Sequence, residues 1–196
     1  MRNKPVKKNN GPRRELAVLF IAFVVCAAVL GALMLKKYEE RHRQPVAVPH
    51  PQQGGSLLVT LFFASPEGAE LVREGREIGP CEDSAKCVEA VVGELINGPL
   101  GDLTPTLPAA TSINAVQVNG DLVQVDLGEE MIKGLPGGSH AEMTAVYSIV
   151  DTIAVNFPRI KQVKFLFNGK TVETLKGHID LRGPLTPDFS MEKKQG

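Results

Sequence analysis

Residues 16–35 read LAVLFIAFVVCAAVLGALML, an unbroken apolar run without one ionisable side chain. At a helical rise of about 1.5 Å per residue such a segment is about 30 Å long, the thickness of a bilayer's hydrocarbon core. It reads as a single transmembrane helix, and that fixes where the rest of the chain can fold. Arg2, Lys4, Lys7, Lys8, Arg13 and Arg14 precede it against one acid, Glu15, whereas Lys36, Lys37, Arg41 and Arg43 after it are diluted by Glu39 and Glu40. The excess keeps residues 1–15 as a basic cytoplasmic N-terminus and places everything from Lys36 outside the cell membrane. A cleaved signal peptide is the competing reading. Against it, the run is longer than a usual signal core, and Leu30-Gly31-Ala32 puts a large residue where cleavage needs a small one. Cys26 follows Val24-Val25, which does not suit lipid attachment.

Residues 36–56 form a juxtamembrane and linker segment. Its second part, QPVAVPHPQQGGS (44–56), has three prolines, two glycines and no charge, the composition of a tether. Beyond it, 43% hydrophobic content, balanced charge, two Tyr and no Trp describe ordinary globular material with no basic stripe or stacking platform for nucleic acid.

The pattern from Leu57 predicts an α+β fold. SLLVTLFFAS (56–65) is an apolar run of strand length, expected in the middle of a sheet. AELVREGREIGP (69–80) is weaker, with Glu74-Gly75 as a turn. Ala85, Val88, Val91, Val92, Leu95 and Ile96 recur at helical spacing until Asn97-Gly98-Pro99, with Asp83 as N-cap. SINAVQVNGDLVQVDL (112–127) predicts a hairpin turning at Asn119-Gly120, with Val118 opposite Asp121 and Val116, Val118, Val123, Val125 and Leu127 on one face. QVKFLFNGKTVETL (162–175) predicts a second, at Asn168-Gly169. Between them Met143, Val146, Tyr147, Ile149, Val150, Ile153, Ala154 and Phe157 form a helical stripe ended by Pro158. The expected fold is two helices on one face of a small mixed or antiparallel sheet with two Asn-Gly hairpins, preceded by the membrane helix. Residues 186–196 read as a flexible tail.

An extracytoplasmic position permits a disulfide between Cys81 and Cys87, one just ahead of the first helix and one on its first turn. Free thiols, or half of a metal site, are the alternatives. The short loop makes the entropic gain about 2 kcal/mol.

Two histidine-acid pairs raise the question of chemistry: His140 with Glu142, and His178 with Asp180. Ser139-His140-Ala141-Glu142 has the spacing of a capping box, which employs Ser139 and Glu142 structurally. His140 and Glu142 then point about 200° apart, unlike zinc ligands spaced by three or four. No metal, cofactor or catalytic residue is expected, a Ser139/His140 nucleophile pair included. The long stretch NGPLGDLTPTLPAAT (97–111) either tucks Leu100, Leu103 and Leu107 beneath itself, the preferred reading, or presents them to a partner. GEEMIKGLPGGS (128–139) offers Leu135 in the same way, and it lacks the lysine and Ser/Thr of a phosphate-binding loop.

In order and spacing, ELINGP (94–99), LTPTLPAATSINAV (103–116), GDLVQVDLGEEM (120–131), GGSHAE (137–142), IVDTIAVNFPRIKQVKFLFNG (149–169) and GHID (177–180) resemble successive blocks of the GerMN domain. The resemblance runs from about Leu57 to Leu185. It implies a non-catalytic envelope domain, similar in fold to the ring-building modules of sporulation and secretion complexes. The function it implies is protein–protein interaction or assembly, with envelope proteins or by self-association, in sporulation, germination or other envelope processes. The resemblance carries no catalytic residue onto this chain. The alternative is an extracytoplasmic binding module for a small molecule or a cell-wall glycan, for which aromatic residues are scarce.

Overall fold

The structure is a computed structural model that describes residues 55–68 and 70–193. The chain divides into two units, Met1–Gln52 and Gln53–Gly196, and the elements below belong to the second. The basic N-terminus, the membrane helix expected at 16–35, Cys26 and the linker up to residue 54 lie outside the described residues. Among the described residues no helix is long and apolar enough to cross a membrane.

Two strands open the domain, β1 (Leu57–Ala64) and β2 (Leu71–Ile78), antiparallel along their whole length. β2 runs straight through Glu74-Gly75, so the turn expected there is absent; the reversal lies at Ser65–Glu70 instead. Helix α1 (Ser84–Asn97) follows, with the Asp83 carboxylate accepting the Lys86 amide as N-cap. Next come β3 (Ile113–Asn119), β4 (Leu122–Leu127), the single turn α2 (Glu130–Gly134), the long helix α3 (Ser139–Asn156) and β5 (Gln162–Phe167). The fold is α+β as expected, but there are two sheets: the β1–β2 ribbon and a mixed sheet in the order β3-β4-β5, in which β5 runs parallel to β4.

The β3–β4 hairpin forms one step away from the register the Asn-Gly pair suggests. Asn119 pairs with Leu122 and Val118 with Val123, so the turn residues are Gly120 and Asp121. Gly120, at φ +64°, takes the first central position, where a positive φ suits glycine. The slip moves each strand by one residue in opposite senses, an even change, so the valines keep the face expected of them.

The second Asn-Gly pair also turns the chain, with Asn168 and Gly169 both at positive φ. Only Phe167 and Lys170 pair across it, and no return strand follows. The edge that strand would occupy is taken farther on by Leu185, which exchanges two main-chain hydrogen bonds of 2.8 Å with Val163.

β1 is not a central strand either. Leu61 to Ala64 are buried on both faces, as the apolar run requires, but among the described residues β2 is its only strand neighbour over that length. α3 closes its other edge with side chains: Thr60 N–H donates to Asn156 Oδ1 (2.9 Å), Asn156 Nδ2 donates to the Thr60 carbonyl (2.6 Å), and Phe62 N–H donates to Thr152 Oγ1 (3.0 Å). At Ala64 the main chain of Thr104 takes over. α3 is therefore buried around most of its circumference, with Val146, Ile149, Val150 and Ile153 in the core and Ser148 and Thr152 buried as well. Val59, Leu61 and Phe63 of β1 join Val88, Val91, Val92 and Leu95 of α1 and Val123, Val125, Leu127 and Phe165 of the mixed sheet in one core.

Residues 186–193, expected as the start of a flexible tail, are tied to the ribbon. The Lys193 amide donates to the Leu71 carbonyl (2.8 Å), Arg73 makes a two-pronged ion pair with Glu192 (2.6 and 2.9 Å), and Phe189 lies 6.0 Å from Phe62 between ring centres.

Candidate functional site

The opening of the 98–111 loop is held by a charged cluster. Arg76 on β2 is almost buried; its guanidinium donates to Glu94 of α1 (2.7 Å), to Glu74 of its own strand and to the Gly98 carbonyl (3.0 Å). Glu74 in turn accepts the Leu100 amide with both oxygens, at 3.2 Å each. A hydrogen-bonded arginine network of this kind fixes geometry because each group leaves the others unsatisfied if it moves. Farther along the loop, Thr104 pairs with Ala64, and Leu107 enters the core.

That anchoring separates the four leucines named from the sequence. Leu107 and Leu135 are buried in the core and Leu103 packs against it, so the tucked arrangement holds for these three. Leu100 does not tuck: it is 79% exposed, above a main chain that Glu74 and Arg76 hold in place. The glycine-rich connector is packed rather than open at Gly134, where a Cβ would come within 2.9 Å of Pro108.

Cys81 and Cys87 are joined in a disulfide across a separation of six residues, with Cα atoms 5.2 Å apart, and it staples the approach to α1 onto its first turn.

The two histidine pairs meet in an unexpected way. Ser139 and Glu142 form no capping box: Gly138 is the N-cap, and no side chain caps the helix. Glu142 is wholly buried and accepts instead from the main-chain amides of Leu175 (2.8 Å) and His178 (2.9 Å) and from His178 Nδ1 (3.0 Å). Several converging donors outcompete the single amide of a capping box. Burial raises the Glu142 pKa, but the amides of Lys176, Leu175 and His178 and the His178 ring outweigh it, leaving the carboxyl below the ordinary glutamate range. His140 lies at the start of α3 with its ring on the Gly68 carbonyl and near Thr144. Asp180 is occupied by Arg182 (2.9 and 2.7 Å). Among the described residues, no group of three or more His, Cys, Asp or Glu side chains is placed to hold a metal.

Asp151 is a group that residue spacing did not single out. It is buried on α3, accepts the Asp188 amide with Oδ1 (2.9 Å), and has no partner for Oδ2. Burial pushes its pKa up to about 7, with Asp188 and Glu192 adding to the shift and Arg73 and the Asp188 amide opposing it. The signal in the sequence was that residues 143–158 contain this one charge, too few for a helix with a solvent face.

A shallow pocket of about 230 Å³ lies between α2 and the Asn168-Gly169 turn, lined by Glu129, Ile132, Lys133, Phe167, Lys170 and Val172. Its Lys133 and Glu129 are already paired (2.8 Å), and Phe167, at 3% exposure, offers no open ring face.

Comparison with known proteins agrees with this geometry. The tandem GerMN domains of the sporulation protein GerM from Bacillus subtilis superpose with a TM-score of 0.56 at 19% identity, over 76% of this chain and 51% of that one. The first GerMN domain of the same protein superposes with a TM-score of 0.50 at 20% identity, over 67% of this chain and 96% of that one. At such identities the likeness is one of fold. No curated protein matches the chain by sequence. The family described as "Germane: Sporulation and spore germination" matches residues 60–173, more than half of the sequence, and the chain belongs to that family.

Proposed function

We propose that the protein is a single-pass, membrane-anchored envelope component whose GerMN domain, outside the membrane, assembles with other envelope proteins and performs no catalysis. Leu100 carries the proposal. Leu100 and Leu58 are each 79% exposed; Leu100 is the one whose main chain a nearly buried arginine cluster holds in place, and covering its side chain would contribute about 1.5–3 kcal/mol. A side chain on a main chain already fixed in place loses little further freedom when a partner covers it. The apolar run at 16–35 and membership of the sporulation and germination family support the envelope setting. The shallow pocket lends the small-molecule or glycan reading less support, because Glu129 and Lys133 are spent on each other and its aromatic ring is covered.

The test is a photo-crosslinking amino acid at position 100 of the full-length chain in intact cells, followed by fractionation. The proposal expects the chain in the membrane fraction and a discrete adduct with an envelope protein. Recovery of the intact chain from the cytosol, or no adduct at position 100, contradicts it.

A further inference from the structure

We infer that a second copy of this chain pairs with the first through β3, across a two-fold axis at Gln117, extending the mixed sheet to six strands. The inference rests on the reading of the domain as an assembly module and names the occupant of one sheet edge.

The other strand edges are bonded in part or carry charge. Thr152, Asn156 and Thr104 bond β1, Leu185 and Lys170 bond β5 at Val163 and Phe167, and β2, bonded by Lys193 at Leu71, carries Arg73, Glu74, Arg76 and Glu77 along the rest of its length. β3 has β4 on one side, and among the described residues nothing bonds its other side. The Asp121 and Leu127 carbonyls accept from Lys161, Gln162 and Asn168 on the β5 side. Along β4, odd-numbered residues therefore bond towards β5, and Gln124 and Asp126 bond towards Gln117 and Ala115 of β3. Val116 and Val118 are left with N–H and C=O directed away from the sheet.

A two-fold axis at Gln117 sets Val116 of one copy opposite Val118 of the other, and the reverse. Two hydrogen bonds form at each pair, and all four outward groups of each copy are used. Gln117 faces its own counterpart. Edge strands normally repel such pairing with lysine, inward charge or proline, and INAVQVN contains no charged residue and no proline. On the axis a residue meets its own copy, so a charge at position 117 would repel itself, and Gln117 carries none. Val116 and Val118, half-buried in one copy, meet the valines of the second on the same face and lengthen the apolar surface.

The experiment uses the full-length chain in mild detergent with Cys26→Ala. A non-hydrogen-bonded antiparallel pair holds its Cα atoms about 4.5 Å apart, within disulfide reach. Gln117→Cys is expected to give a covalent dimer on mild oxidation; Gln124→Cys and Lys164→Cys, one and two strands farther from the axis, are not. Gln117→Lys and Gln117→Glu should each weaken association about fivefold in sedimentation, and an equimolar mixture should restore it. Val116→Pro removes an outward donor that the single copy does not use, and should abolish dimers while leaving circular dichroism unchanged. A folded Gln117→Cys protein without a covalent dimer, or cross-linking at 164 in preference to 117, overturns the inference. If position 117 fails while position 100 captures an envelope protein, the self-pairing falls and the assembly reading stands. If position 117 cross-links while position 100 captures nothing, the self-pairing stands and the contact through Leu100 falls.

Discussion

Asn156 makes two hydrogen bonds to the main chain of Thr60, one to its amide and one from its side-chain nitrogen to the carbonyl, as a neighbouring strand would. A helix thereby seals a sheet edge through side chains. Asn156→Leu leaves both main-chain groups unsatisfied at a part-buried site, and should cost about 1–3 kcal/mol, read as a lower urea midpoint. The opened β1 edge should also raise light scattering on heating, which a merely destabilised but sealed edge would not.

Glu142→Gln keeps the shape of the side chain but removes the charge that the loop amides and His178 converge on. The expected loss is about 1–3 kcal/mol at neutral pH. Because the folded carboxyl lies below its ordinary value, its stabilisation is present above the unfolded pKa and is lost as pH falls through the folded one. The variant should lose that acid-side slope in thermal melts between pH 6 and about 3.

Asp151 acts in the opposite sense. Its folded pKa stands at about 7 against an ordinary 3.8, so the fold favours the protonated form, and stability falls as pH rises across that interval. Asp151→Asn retains an acceptor for the Asp188 amide and carries no charge to desolvate. It should be more stable than the parent at pH 8, by up to about 4 kcal/mol, less so at pH 5, and little changed only near pH 3, below both values. A melting temperature at pH 8 equal to or below the parent's would contradict this.

Replacing Cys81 and Cys87 together by serine should cost about 2 kcal/mol, the loop-closure entropy of a short bridge. Reductant should lower the parent's midpoint by the same amount and leave the variant unmoved.

Leu100→Asp should change stability by no more than about 0.5 kcal/mol, since the side chain touches water and its amide bonds to Glu74 through the main chain. Capture of an envelope partner through neighbouring loop positions should fall sharply.

Much of this architecture was legible in residue spacing. The α1 stripe and its Asp83 cap, the β3–β4 valines and the turn at Asn168-Gly169 are local features, and local chemistry decides them. Non-local decisions were not legible. Whether β1 lay inside a sheet depended on Thr152 and Asn156, some ninety residues away, whose polar side chains look like solvent-facing positions on a helical wheel. Glu142 was assigned to its own helix end because the loop amides that claim it belong to residues 175–178. Leu100 could not be told from Leu103 and Leu107 by sequence, since all sit among prolines and glycines; the Glu74 and Arg76 contacts separate them.

The clasp of Arg73 by Glu192 spans 119 residues, so the hairpin that opens the domain is finished by residues made much later. Phe62 stays without its covering ring until Phe189 arrives. If the sequence is threaded through a membrane from its amino end, Glu192 has to cross before the head can close, and the first hairpin waits on the far side for a segment 119 residues behind it.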